Sequence, residues 1–557
     1  MSDNLDEEAV VTFIEKPSED PGNTRWARFS DETESKRDST LKARTMDGLV
    51  TLSEAQESEE DMRAELTYLP DLVELHSLLE RESQAIQYLV ASHLGISPAK
   101  VRVPPHIGPD GKRIWWHGVI NLYIPIDINA PGSSLPTKVM FRLPMLHKIG
   151  EKWFPGNAEE KIRTEAATHI WTEKNCPDVP IPKLRGFGVT SGLSFFEPRV
   201  IGWWTKAKFY IWRFFCRVYS GSEFSDYIPQ QRPTFRFGYI IFDWIENDEI
   251  RMLSETIGSP NTALQTKTLY RDLSRIMISL ANISQPRIGS WTIDDYGSIS
   301  LSNRPLFYHF YQLENWRVSA IRRGATYTDS WSFFLGMIEA YDNRLRDHPN
   351  AASSDDDARD QAGDLVLLKA VLPQYLARDY RTGPFVMQFT DLQTSNIFVD
   401  KDWNVKYVID LEWVSSLPLE CLLAPYWLTQ EYVDTLVGKK YDRYKVAHDK
   451  FVSIFAQEEK SKPLYFDGSI CRRAPLLWDS LSSGRFWYLA AFTSPTHLHD
   501  TVMRRIEPQF GSRLSSYWLK DMTSFLNNKR AAYYNYAQQV SQAFDHNISF
   551  FSHLDNK

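Results

Sequence analysis

A chain of 557 residues is too long for one ordinary hydrophobic core, so two or more domains or lobes are expected. With 43% hydrophobic and 24% charged residues and a net charge of −8 spread along its length, it reads as a soluble globular protein without a general polyanion-binding surface, and nucleic acid is not an expected partner. Four scattered cysteines, Cys176, Cys216, Cys421 and Cys471, make no CxxC pair, which argues against a zinc site or disulfide framework and fits a reducing, cytoplasmic compartment.

Residues 1–60 are polar, carry no secretory signal and are expected to lack fixed structure. A leading helix is expected over 61–96, where Leu72, Leu75, Leu79, Ile86, Leu89 and Val90 keep helical spacing until Gly95. A strand-rich unit follows over 97–245, with strand-like runs at 114–128 and 137–145. Its one important helix follows "PGNAEE", where Asn157 and Glu160 make an N-x-x-E variant of the capping box. An aromatic insertion occupies about 195–235. Within it "WWTKAKFYIWRFFCRVY" (203–219) carries four basic residues, too many for a membrane span. Lys206, Arg213 and Arg217 share one helical stripe, so a docked amphipathic insertion is expected ahead of a membrane- or partner-facing helix. Beyond 246 the pattern is mostly helical. A polar loop at 350–364 interrupts it, with Asp355, Asp356 and Asp357 expected in solvent, and a hairpin lies within 386–413.

That hairpin carries the clearest chemistry. "NIFVD" and "VKYVID" are strand-like around the turn "KDWN" (401–404), and pairing Asp400 with Val405 puts Asn396 opposite Ile409. Asn396 and Asp410 then converge at the open end, with Asp391 in the loop entering it. A carboxylate and an amide oxygen suit Mg²⁺, and a further carboxylate beside them can orient a hydroxyl for attack. Asp391-x-x-x-x-Asn396 has the spacing of a phosphoryl-transfer loop, and Asp410 follows nineteen residues after Asp391. Turn-capping aspartates remain the plain alternative.

In the strand-rich unit, Glu165 lies on the inward face of its helix, near Ile162 and His169, and needs a cation. Arg142, in the strand "KVMFRLP", is the nearest candidate in sequence. Such a pair either holds phosphates, as in kinases, or is a structural salt bridge. "HGVIN" (117–121) offers one glycine in a strand–turn–strand setting, and no GxGxxG or GKT motif is present.

The segments "EEKIRTEAATHIWTEKNCPDVPIPKLRGFG", "GYIIFDWIE", "RIGSW…GSISLSNRPL" and "FTDLQTSNIFVDKDWNVKYVIDLEW" resemble the fungal aminoglycoside-phosphotransferase-like proteins, within the protein-kinase-like fold. The resemblance spans roughly 70–550. It implies an α+β, two-lobed fold: a small β-rich N-lobe (97–245), a large α-rich C-lobe (246–557), and ATP and Mg²⁺ between them. By this resemblance Asp391 matches the catalytic base, Asn396 and Asp410 the metal ligands, and Glu165 the helix glutamate. Gly118 and Asn121 match the nucleotide loop, and Phe242, Asp243, Trp244 and Ile245 the hinge that holds adenine. Arg142 stands where the family has lysine, and Phe389 and Gln393 replace both histidines of its H-G-D-x-H-x-x-N loop. The function implied is transfer of the γ-phosphate of ATP to a hydroxyl or amine of an unidentified small molecule. The alternative is a kinase-fold protein with weak or lost catalysis, used for binding or scaffolding.

Overall fold

Side chains alternate along Lys138–Pro144, so Val139, Phe141 and Leu143 point one way and Met140 and Arg142 the other. The computed structural model, which describes residues 26, 41–220, 223–231, 235–245, 249–258, 262–510 and 522–555, makes this segment an inner strand of an eight-stranded sheet. The strands are β1 (Val101–Arg102), β2 (Trp116–His117), β3 (Asn121–Ile128), β4 (Lys138–Pro144), β5 (Leu184–Gly188), β6 (Leu193–Phe196), β7 (Ile228–Gln231) and β8 (Tyr239–Asp243). Their order is β7-β6-β5-β8-β4-β3-β1, with β2 paired to β3. All these pairings are antiparallel, and Arg142 lies between Tyr123 of β3 and Ile240 of β8.

The face carrying Val139, Phe141 and Leu143 packs on α1 (Met62–Arg81) and α2 (Ser83–Leu94) through Leu72, Leu79, Ile86 and Leu89. The opposite face, with Met140, Ile240 and Phe242, packs on α3 (Asn157–Asn175) through Ile162, Ala166 and Ile170. The leading segment is thus two helices that meet at Glu82, and Gly95, at φ 68°, closes the second. The capping box expected at α3 does not form. Gly156 precedes the helix at φ 100°, and the Glu151 carboxylate accepts from the Gly156 and Ala158 amides at 2.7 Å each. Asn157 and Glu160 are turned into the core, the first donating to Glu314 and the second pairing with Arg304.

The aromatic insertion forms α4 (Trp203–Ser220), which docks through one narrow face and leaves most of its apolar side chains outside the contact. Its inner face is held by the buried Arg213, the half-buried Phe209 and contacts of Trp212 with Phe224 and Tyr296, while Trp203, Trp204, Phe214 and Phe215 face outward. Helices and short strands dominate from there on: α5 (Ala263–Leu280), α6 (Tyr308–Asn315), α7 (Ser330–Asp347), α8 (Asp355–Tyr375), α9 (Gly438–Glu459) and α10 (Thr523–Asp555). Among the described residues no helix is long and apolar enough to cross a membrane.

Two segments expected to lack structure are built into this helical part. Residues 41–57 form a two-strand pair and a helix, Leu52–Glu57, whose Thr51–Glu54 capping box is complete. Ala43, Leu52 and Ala55 are buried against Tyr536, Val540 and Phe544 of α10. Of the rest of 1–60, only Trp26 and 58–60 are among the described residues. The acidic run at 355–357 is the first turn of α8: Ser354 caps it and Asp355 binds Trp26 and Arg530. Carboxylates at a helix N-terminus meet its positive dipole end, which favours helix there over solvated loop.

Candidate active site

The hairpin is β10 (Ile397–Val399) with β11 (Val405–Val408), preceded by β9 (Phe385–Phe389) and followed by β12 (Val414–Pro418), which pairs with β9. Ile397 opposes Val408, and the Ile409 amide donates to the Asn396 carbonyl at 3.0 Å. At the turn the register slips by one, Val399 opposing Val405. Asp400 causes the slip by accepting from the Asp402 and Asn404 amides at 3.0 Å each. Asp410 follows the strand at φ 59°, a left-handed conformation that costs a non-glycine residue energy and clusters at functional sites.

Asp391, Asn396 and Asp410 line one cavity of about 710 Å³, whose far wall is Gly118, Asn121, Arg142, Glu165 and the β8 end from Phe242 to Ile245. All the residues singled out in the sequence therefore border a single space. Sheet alternation carries Arg142 toward α3, where its guanidinium contacts Glu165. The same guanidinium contacts Asp410 and donates to Glu412 at 3.1 Å. Lys161, one turn before Glu165, pairs with Glu412 and lies 3.8 Å from Glu165. Two cations thus face three carboxylates in a buried cluster. Burial, followed by the nearby Glu412 charge, pushes the Glu165 carboxyl up to about 8 and raises that of Asp410, against the pull of Arg142. Burial acts on Glu412 too, but Lys161 and Arg142 outweigh it and hold its carboxyl down to about 2.

Lys161 and Glu412 were not anticipated. The signals were present: Lys161 is i−4 from Glu165 on a face already apolar, and Glu412 is a lone acid among Leu411, Trp413 and Val414. The Asn121 amide donates to Glu412 at 3.1 Å, which ties the Gly118 turn to this cluster, and the Gly118 amide donates to the Asn121 carbonyl at 2.8 Å. At the other end Trp244 stacks on Trp116, with ring centroids 5.3 Å apart. The Asp243 side chain is taken up by Arg185, at 2.6 and 2.7 Å, so that residue offers the cavity only its backbone.

Asp391 lies apart from the cations. Both its oxygens accept from Gln393 Nε2, at 2.7 and 2.8 Å, and its backbone carbonyl accepts from Asn396 Nδ2 at 3.3 Å. Burial and the charges of Asp410 and Glu412, opposed only by Gln393, push its carboxyl up to about 6. That is a value suited to a base working near neutral pH. Gln393 is thus the neutral donor that holds the Asp391 carboxyl.

The donor set fits a magnesium ion. With the Asn396 amide nitrogen engaged, its oxygen would serve as a hard ligand beside the Asp410 carboxylate, one oxygen of which pairs with Arg142. Among the described residues no group of three or more His, Cys, Asp or Glu forms a metal cage. Mg²⁺ bound to nucleotide needs none, because it takes one or two protein oxygens together with phosphate and water. The cavity has apolar walls at Met140, Phe242 and Ile409, with the Arg142 guanidinium at its inner end.

No protein-family model matches the chain, and no curated protein matches it. Among solved structures it is similar to a candidate aminoglycoside phosphotransferase from Ralstonia eutropha, with 10% identity, a TM-score of 0.35, and coverage of 77% of this chain and 92% of that one. A likeness so distant leaves the reading of the cavity to its own geometry.

Proposed function

We propose that the chain is a phosphotransferase that moves the γ-phosphate of ATP, with Mg²⁺, to a hydroxyl or amine of a small molecule. The observation that carries this reading is the convergence of Asp391, Asn396 and Asp410 with the Arg142–Glu165 pair on one cavity. In this reading 97–245 is the nucleotide-binding lobe and 246–557 the acceptor-binding lobe of a two-lobed, protein-kinase-like fold.

Phe242 to Ile245 and Met140 hold the base, and Gly118 and Asn121 shape the turn over the phosphates. Arg142, oriented by Glu165, meets phosphate oxygens as a fork-shaped donor. Asn396 and Asp410 hold the Mg²⁺, which neutralises charge on the phosphates when bound. Asp391 accepts the proton of the attacking hydroxyl as its oxygen bonds to phosphorus and ADP departs with the electrons of the broken P–O bond.

One observation favours a second reading, a nucleotide-binding protein with little turnover: three carboxylates already engage the Arg142 guanidinium. Thermal shift and ATP turnover separate the two. In the phosphotransferase reading, ATP stabilises the protein in a Mg²⁺-dependent way, and Asp410→Ala abolishes that dependence. Asp391→Asn keeps nucleotide binding and lowers turnover at least a hundredfold. Mg²⁺-dependent binding with no turnover on any acceptor would establish the second reading.

A further inference from the structure

A second cavity, of about 420 Å³, meets the first at Tyr308, Asp391 and Gln393. Its walls are mainly apolar, with Phe333, Phe334, Met337, Leu422, Leu489 and Phe492 all buried. Asp391 and Asp434 are the only carboxylates among its lining residues. His309 and His497 also line it, and burial pushes the His309 imidazole down to about 3, so that ring stays neutral. Tyr308, Asp391 and Gln393 are shared with the first cavity, and Gln388, Tyr432, Asp434, Thr493, Ser494 and His497 are spread along the rest of the second.

From the mainly apolar walls, the scarcity of carboxylates and the position of Asp391 at the junction we infer that the acceptor is an uncharged, largely apolar molecule bearing one hydroxyl, seated with its apolar body among these rings and its hydroxyl at Asp391. The inference rests on the phosphotransferase reading. A polycationic acceptor needs a carboxylate for each buried ammonium, and two cannot compensate several. An aromatic or alicyclic alcohol leaves no charge unpaired, and the cavity volume is in the range of sites for drug-sized ligands. The transfer balances as above: the alcohol oxygen gains the phosphoryl group, Asp391 takes its proton and ADP leaves.

Naphthylmethanol, followed by its own fluorescence in the presence of AMP-PNP and Mg²⁺, serves as the probe. We expect saturable binding, weakened at least tenfold by Tyr426→Arg at a half-buried lining position and by Ala490→Phe, which fills the cavity. The Mg²⁺-dependent ATP shift stays intact in both variants, and naphthylmethanol accepts phosphate where kanamycin does not. Phosphorylation of kanamycin without binding of naphthylmethanol overturns the acceptor assignment and leaves the phosphotransferase reading standing. Equal probe binding in wild type and both variants also overturns it. Absence of the ATP shift in wild type overturns the phosphotransferase reading and the acceptor assignment together.

An independent observation concerns α4. At about 100° per residue, Trp203, Trp204, Ile211, Phe214, Phe215 and Val218 share an arc of about 120°. Each is more than half exposed. Lys208 borders that arc on one side, Arg217 and Lys206 on the other, and the helix has no acidic residue. The inner face is pinned by Arg213, which donates to the Tyr227 carbonyl at 2.7 Å and lies over Phe209 at 3.9 Å. The amphipathic helix is therefore turned apolar side out, opposite to a helix that packs on its own core.

We propose that this face seats on an anionic bilayer surface. Its cations complement lipid phosphate and serine headgroups, and its tryptophans suit the headgroup boundary. Full-length protein is sedimented with phosphatidylcholine vesicles, with and without phosphatidylserine. Binding is expected to the anionic vesicles, lowered at least tenfold by Ile211→Glu and Phe215→Glu, and lowered by Lys208→Glu with Arg217→Glu or by raised salt. Wild type left in the supernatant with both vesicles overturns the proposal. So does a vesicle-free dimer that Ile211→Glu dissociates, which would identify a second copy as the occupant.

Discussion

Asp391 is a carboxyl whose surroundings favour the proton. Its value is pushed up to about 6 from 3.8, chiefly by burial. Two consequences follow with opposite signs. In the proposed phosphotransferase reading the base form fills as pH rises, so kcat/KM for ATP transfer is expected to climb through about pH 6 and to level off above it. For stability, the folded state binds a proton more tightly than the unfolded chain, so ionising Asp391 costs stability as pH rises from about 4 to 6. Nothing is lost below that window. The shift corresponds to roughly 2–3 kcal/mol. Asp391→Asn is therefore expected to raise the urea midpoint at pH 8 and leave it unchanged at pH 4, even as turnover collapses. Equal midpoints at pH 8 would show that the carboxylate is better compensated than its single donor, Gln393, allows. At this scale the spacing Asp391-x-x-x-x-Asn396 foretold proximity, since both residues border one cavity. The positions of Lys161 and Glu412 were suspicious in sequence, but neither position reveals its partner. Those two meet across 251 residues.

The helix α3 joins the sheet to the rest of the chain, and its ends and faces are fixed by charges from elsewhere. Glu160 forms a forked pair with Arg304 at 2.9 and 2.7 Å, while Arg304 also donates to Glu314 of α6 at 3.0 Å. Arg304 is fully buried. Asn303 and Asn157 add hydrogen bonds to the same two carboxylates, at 2.9 and 2.7 Å. Removing one partner of such a group leaves uncompensated buried charge, at a cost of about 3–5 kcal/mol. Arg304→Met is expected to lose that much by urea unfolding, and Arg304→Met combined with Glu160→Gln and Glu314→Gln to recover most of it. If the triple variant were no more stable than the single one, packing of the Arg304 stem would outweigh its charge. The misread cap belongs here too. An N-x-x-E pattern specifies a capping box only while both side chains are free to turn back on the helix. Asn157 and Glu160 are drawn inward, leaving the cap to Glu151.

Across the whole molecule, the largest difference between expectation and structure lies at 41–60. Locally that stretch is polar, and its own signal was small: the T-L-S-E of a capping box at 51–54. Its order depends on α10, almost five hundred residues away, where Tyr536, Val540 and Phe544 cover Leu52, Ala55, Met62 and Leu66. Periodicity within a short window cannot register a partner so distant, whereas the sheet and hairpin were legible because their partners are near in sequence. Polar contacts close the same joint: Asn547 donates to the Arg44 and Leu66 carbonyls at 2.8 and 2.7 Å, and Tyr536 accepts from the Met62 amide at 3.0 Å. Beneath them the Asp61 carboxylate binds Arg63 and His348, and these partners outweigh burial to hold its carboxyl well below the usual range. The clasp feeds directly into α1, which supports the sheet face opposite Arg142, so its loss should loosen the sheet side of the cavity. Phe544→Ala leaves a cavity in a small, fully buried cluster and is expected to cost about 3–5 kcal/mol. Hydrogen exchange should locate the effect, with amides of 41–66 and 526–551 losing protection together while those of β9 to β12 keep theirs. Loss confined to α10 would mean that residues 41–66 hold to α1 without it, and that the two ends of the chain are stabilised separately.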